Sequence, residues 1–202
     1  MTLDPGYFRD VYAGSPDPYG LADRWYEARK YALSLALLPR ERYRAAFEPG
    51  CSVGVLTRKL AARCDQLLAC DAVADAVESA RARTAGLPGV RVEQRVVPRQ
   101  WPSAAFDLIV FSELLYYFGG TDLGLLLKLA TGSLRPGGHL LAVHWRHPAA
   151  DHPRTGDEVH QLLADHPGLA GLAHYDDPDF TADVYTHADG DQRSVAQLGG
   201  IV

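Results

Sequence analysis

The sequence predicts an α/β protein: an open twisted sheet, mostly parallel, with an antiparallel C-terminal hairpin and helices on both faces. Three observations carry this reading. Short apolar runs alternate with helical patterns through the middle of the chain. The central runs "QLLACD" and "FDLIVFSE" are apolar at consecutive positions, as strands covered on both faces require. Two β-rich runs close together, "LAGLAHYDD" and "FTADVYTH", make a final antiparallel pair.

The elements follow in order. Residues 1–20 are rich in Pro, Gly, Asp and Tyr and read as an arm without regular structure. From Leu21 a helix is expected, with Trp25, Ala28, Ala32 and Leu35 on one face, Trp25 against the core, and a stop at Pro39. "RAAFEP" is the first strand, "VLTRKLAARC" an amphipathic helix and "QLLACD" the second strand, ending at Asp71. "VADAVESARART" is a helix halted by Gly86 and Pro88, and "VRVEQRVV" the third strand. "FDLIVFSE" is the fourth strand, Asp122 a cap for "LGLLLKLATGSL", "RPGG" a turn and "HLLAVHW" the fifth strand. Thr155 or Asp157 caps a helix over "TGDEVHQLLADH". The domain expectation is an arm and lid helix over 1–43, and a core over 44–202.

Composition narrows the function. The chain has 202 residues, 47% hydrophobic and 22% charged, with net charge −5. That balance suits a globular domain and argues against nucleic acid, which needs a basic surface. No apolar run approaches the ~18–20 residues of a membrane span. Three scattered cysteines and no apolar leader lead to the expectation of a soluble cytoplasmic protein, monomer or homodimer being open.

Parallel sheets bind ligands at the carboxyl edge, where strand order reverses. The residues expected there are Glu48 to Gly54, Asp71, Arg95 to Val97, Ser112 to Tyr117 and His144 to His147. Gly50 and Gly54 allow a tight turn into a helix whose free N–H groups face the ligand. Asp71 stands 21 residues after Gly50, where a carboxylate accepts both ribose hydroxyls or caps the next helix. Glu48 just before the turn would repel a pyrophosphate, which disfavours a dinucleotide and favours a ligand with a positive centre. S-adenosyl-L-methionine, with a sulfonium and an ammonium, meets that description.

The motif Glu48-Pro49-Gly50-Cys51-Ser52-Val53-Gly54 resembles the first motif of class I S-adenosylmethionine-dependent methyltransferases, with Ser52 in place of the middle glycine. "FDLIVFSELLYYF" and "LRPGGHLLAV" resemble that family's fourth-strand and fifth-strand motifs, and are similar to the nodulation protein S type, which N-methylates an amino sugar. The likeness covers about residues 44–145. It implies a Rossmann-like sheet and a methyl transfer to a small molecule, an amine first. O-methylation of a hydroxyl and a binding module without catalysis remain alternatives. The implied cofactor contacts are Glu48, Gly50, Cys51, Ser52 and Gly54 in the turn, Asp71 and Ala72 at the ribose, and Ser112 and Glu113 after the fourth strand. The chain lacks the acid usual after the third strand, so the backbone of Val96 or Val97 is expected at the adenine. Tyr19, Trp25, Tyr26 and Arg29 form a lid, Arg29 pairing with the methionine carboxylate. Glu113 is a candidate to orient the ammonium or the acceptor. His144 and His147 are candidate general bases, since unperturbed histidine titrates near ~6.5. No metal is expected: the His139, His144, His147, Asp151 and His152 spacing matches no zinc pattern.

Overall fold

A computed structural model describes residues 1–190 and 192–202. Seven strands form one sheet: β1 (Tyr43–Pro49), β2 (Cys64–Asp71), β3 (Val90–Gln94), β4 (Phe106–Ser112), β5 (Leu134–Trp145), β6 (Leu169–Asp176) and β7 (Phe180–His187). The helices are α1 (Pro5–Ala13), α2 (Trp25–Leu37), α3 (Val55–Ala61), α4 (Ala74–Thr84), α5 (Gly120–Ser133), α6 (Gly156–Ala164) and α7 (Val195–Leu198). The strand order is β3-β2-β1-β4-β5-β7-β6. β1 to β5 run parallel, and β7 pairs antiparallel with both β5 and β6. The expected fold is therefore the one found. The order reverses between β1 and β4, which opens a crevice at their carboxyl ends.

The pleat divides the core. Along β4, Ile109 and Phe111 pack beneath α5 and α6 with Phe47, Leu126 and Leu163. Leu108 and Val110 point the other way, against α2 and α3, with Tyr43, Leu60 and Val184. Each such large apolar side chain contributes about 1.5–3 kcal/mol by leaving water.

Several local expectations need correction. The N-terminal arm is not irregular: α1 forms because the Asp4 side chain accepts from Gly6 N and Pro5 sits at its first position. α2 starts at Trp25, because the Asp17 carboxylate accepts from Leu21 N and Ala22 N and ties residues 17–22 into a turn. Trp25 is 78% exposed, not core. The buried face of α2 is Glu27, Lys30, Tyr31 and Ser34. Gly119 caps α5, and Asp122 in its first turn accepts instead from the Thr2 hydroxyl. "RPGG" lies within β5, where Gly137 takes φ 70° and the pairing with β4 shifts register between Phe106 and Leu108. Thr155 is the α6 cap, in a reciprocal box with Glu158.

Candidate active site

At the crevice the ends of β1, β2 and β4, the α2 helix and the N-terminal arm enclose a cavity of about 780 Å³. Its floor begins with the turn after β1. Gly50 has φ 74°, and a Cβ there would stand 2.8 Å from Leu114 Cδ1. Ser52, the departure from the glycine pattern, takes φ 49° in the same turn, its hydroxyl bonded to that of Tyr12 on α1. The N–H groups of the turn itself, before α3 begins, are engaged within the protein. Gly50 N and Cys51 N donate to Cys70 O (2.7 and 2.9 Å), Ser52 N donates to Asp71 Oδ2 (2.9 Å), and Gly54 N donates to Cys51 O (3.0 Å). The turn offers a phosphate none of these donors. Gly54 does not line the cavity: a Cβ there would lie 2.8 Å from Ala80 Cα, so this glycine lets α4 approach α3.

Asp71 ends β2 at the cavity wall, accepting from Val73 N (3.0 Å) as well as Ser52 N. Burial pushes its carboxyl up from the usual range, against the pull of those backbone donors. Glu48 is 2% exposed, its Oε2 accepts no well-formed hydrogen bond, and burial pushes it up to about 8 against the pull of the neighbouring Thr57 hydroxyl. Cys51, Ala72, Val96, Val97 and Ser112 line the cavity. The Val96 N–H donates to Gln100 Oε1 (2.6 Å).

Glu113 follows β4 with φ 53° and lines the cavity. Three donors fill its carboxylate: Lys30 Nζ on Oε1 (2.7 Å), and Tyr116 OH (2.6 Å) and Trp145 N (2.9 Å) on Oε2. It is a clamp joining α2, β4 and β5 rather than a free base. The Tyr26 ring stands edge-on to Trp145 at 5.4 Å, with Lys30 Nζ 4.9 Å from its centroid, and its buried hydroxyl has no partner.

Neither histidine lines the cavity. Trp145 faces it, so the pleat turns its neighbour His144 away. His144 is fully buried: Nε2 accepts from Leu115 N (3.1 Å) and Nδ1 meets His160 Nε2 (3.0 Å). Burial, then His160 and Lys30, holds it well below the usual histidine range. The chain continues through His160 to Asp183 and exposed His174. His147 is half exposed, paired with Asp179 at 2.8 Å. Arg29 is likewise elsewhere, donating to Asp177 (2.7 Å) and the Tyr175 hydroxyl (2.9 Å) on the β6–β7 hairpin. Among the described residues no group of three or more His, Cys, Asp or Glu is placed to hold a metal ion.

Sequence reasoning missed Glu27, Lys30, Tyr31, Arg24 and Tyr12, all on the cavity wall. Glu27, Lys30, Tyr31 and Ser34 recur at spacings of three and four, a helical face whose charges made it look solvated. The arm closes the cavity's side: Leu3 N donates to Tyr117 O (3.0 Å), Gly119 N to the Thr2 hydroxyl (3.0 Å), and the Tyr7 hydroxyl bonds to Asp151.

The model of the family "Nodulation protein S (NodS)" matches residues 9–129. The chain belongs to the nodulation protein S family. A nodulation protein S of Rhizobium tropici is 34% identical over 130 residues, 62% of this chain and 53% of that protein. The Bradyrhizobium diazoefficiens protein is also 34% identical, over 102 residues. The chain spans about half the length of these curated relatives. Among solved structures, a provisionally assigned methyltransferase from Pseudomonas syringae is 49% identical, covering 81% of this chain and 100% of its own, with TM-score 0.73. The N-methyltransferase NodS from Bradyrhizobium japonicum WM9, in complex with S-adenosyl-L-homocysteine, has TM-score 0.81 over 92% of this chain and 99% of its own. At 23% identity that likeness is one of fold. The nodulation protein S family thus has its Rossmann-like sheet and its crevice in this chain.

Proposed function

We propose that this protein transfers a methyl group from S-adenosyl-L-methionine to a small-molecule acceptor, an amine, of which an amino sugar is one instance. The observation that carries the reading is the Glu48 carboxyl, buried at the cavity with an oxygen that accepts no well-formed hydrogen bond, beside Asp71 at the next strand end. A cationic nucleoside without phosphate satisfies both. Glu48 takes the ammonium, and Asp71, its backbone bonds made through one lone pair on each oxygen, takes the ribose hydroxyls. A dinucleotide would set its pyrophosphate against Glu48. Ala72 and Val97 are left to flank the adenine, with Tyr26 over the methionine end.

When bound, S-adenosyl-L-methionine supplies an electrophilic methyl on a sulfonium. The protein's own residues orient and desolvate. Holding the acceptor close and aligned is worth up to about 7–11 kcal/mol in model systems. The Glu113–Lys30 pair keeps α2 fixed over the strand ends, so residues 1–43 serve as the arm and closing helix of a core over 44–202. Three buried free cysteines fit a reducing, cytoplasmic setting. Among the described residues no helix is long and apolar enough to cross a membrane.

Calorimetry tests the reading. S-adenosyl-L-homocysteine binds and NAD does not. Asp71→Asn, which keeps one acceptor for the turn, weakens the nucleoside by roughly 10- to 150-fold, the worth of a hydrogen bond to a charged group. Unchanged affinity removes the ribose assignment. Binding without turnover over amines and phenols leaves a binding module.

A further inference from the structure

His144 stands near the end of β5 but faces away from the cavity, and the methyl transfer as derived gives it no task. Its Nε2 accepts from Leu115 N at 3.1 Å. Leu115 opens a short 3₁₀ turn, Leu115–Tyr117, and the first N–H of such a turn has no partner inside it. The turn is cavity wall: Tyr116 and Tyr117 line the cavity. The Tyr116 hydroxyl donates to Glu113 Oε2 (2.6 Å), and Tyr117 O accepts from Leu3 N of the arm (3.0 Å). The bond to His144 therefore fixes a wall to which the Glu113 clamp and the arm are both tied. On its other side, His144 Nδ1 meets His160 Nε2 at 3.0 Å, and His160 Nδ1 meets Asp183 Oδ2. Asp183 Oδ1 meets His174 Nδ1 at 2.7 Å. His144 and His160 are buried, and His160, Asp183 and His174 line a separate open groove between α6 and the β6–β7 hairpin.

The backbone sets the direction of this chain of bonds. Leu115 N–H can only donate, so His144 Nε2 is bare and the ring's hydrogen sits on Nδ1. That N–H donates to His160 Nε2, so His160 also carries its hydrogen on Nδ1 and donates it to Asp183. We infer that His144 is a positioning residue of the active site, which holds the Leu115–Tyr117 turn in place only while His160 stays neutral. A proton added to His160 turns its Nε2 into a donor. His144 must then bare Nδ1 and carry its hydrogen on Nε2, where it meets the Leu115 N–H donor to donor. The turn loses its anchor and the cavity wall loosens. Around the two rings stand Lys30 from α2, Tyr116 from the turn, Asp183 and Tyr185 from β7 and His174 from β6. Arg146, across the groove, is spent on Asp157 and Asp176. Burial, His160 and Lys30 all oppose a charge on His144, so an entering proton has its place at His160, beside the Asp183 carboxylate. His174 is mostly exposed and takes a proton on its other nitrogen without disturbing the relay. The relay stands on geometry alone; what the wall encloses rests on the methyltransferase reading.

The test is NMR of the full-length, ¹⁵N-labelled protein with no ligand added. At about pH 8, His144 and His160 both show a bare Nε2 and a protonated Nδ1. Between about pH 8 and about pH 5 the protection factor of the Leu115 amide falls by about two- to tenfold, the worth of one hydrogen bond. That of Glu113, whose N–H donates to Val143 O, falls less. His144→Gln keeps an acceptor for Leu115 that does not titrate, and removes the fall; His144→Leu loses the protection at every pH. Calorimetry reads the consequence at the cavity. Toward about pH 5, affinity for S-adenosyl-L-homocysteine falls about two- to tenfold further in the wild type than in His144→Gln. A hydrogen on Nε2 of either ring at about pH 8, a Leu115 amide whose protection tracks that of Glu113, or affinities of the two proteins that run parallel with pH overturn the positioning role. If His144→Gln loses its cooperative melt, the wild-type spectra decide. A wild type that ignores S-adenosyl-L-homocysteine overturns the methyltransferase reading, and the spectra still decide the relay.

Discussion

In the proposed complex, Glu48 ties the protonation of one side chain to ligand affinity. Burial raises its folded-state value to about 8 from the ordinary 4.5 of a free glutamate. A cationic ligand favours the ionised form, so below that value binding must release a proton. Affinity for S-adenosyl-L-homocysteine therefore rises with pH and levels off above about 8, by at most about tenfold per pH unit, because each unit is worth about 1.4 kcal/mol. Calorimetry in buffers of different ionisation heat reads the released proton directly, and Glu48→Gln flattens the profile. A flat wild-type profile would mean that Glu48 does not meet the cation. At the same scale, the histidines show where residue type and position mislead. His144 stands at the right strand end, but the pleat gives the cavity to Trp145 and sends the imidazole to Leu115 N. A strand's alternation was legible; which of two adjacent residues faces the ligand depends on the sheet's register.

Among the elements, the junction of α3 and α4 yields the sharpest stability prediction. Gly54 has φ 78°, and an added Cβ would meet Ala80 Cα and Cβ at 2.8 Å. Gly54→Ala is expected to cost about 2–4 kcal/mol in urea unfolding, from overpacking and the left-handed backbone together. Adding Ala80→Gly recovers part of it. That glycine belongs to the ligand motif by sequence, yet its physical task is helix approach. The strands were legible because burial on both faces leaves unbroken apolar runs such as "FDLIVF". α1 was not legible: its composition is that of a loop, and its cap at Asp4 and contacts to Ser52, Tyr117 and Asp151 hold it. α2 was placed correctly as a helix with the wrong face buried. Amphipathic reasoning assigns the apolar stripe inward, whereas this helix turns a charged stripe toward a cavity whose acids and base pair with it.

Over the whole molecule, buried neutral histidines set the response to acid. Burial lowers His139, which meets the Tyr43 hydroxyl at 2.9 Å, to about 4, and holds His144 lower than usual as well. A histidine depressed in the folded state binds its proton more readily when unfolded. Its stabilising contribution is complete above about 6.5 and is lost as pH falls toward the folded value, up to roughly 2–3 kcal/mol from His139 alone. Between about pH 6.5 and about pH 4, His139→Gln should make the urea midpoint fall less, or rise more, with acid than the wild type's does. Glu48 acts in the opposite sense, its raised value removing stability as pH climbs from 4.5 toward about 8. One further consequence follows from the first thirteen residues, fastened across the crevice through Thr2, Leu3, Tyr7 and Tyr12. A nucleoside seated behind that strap leaves by peeling a few surface bonds, without parting the sheet.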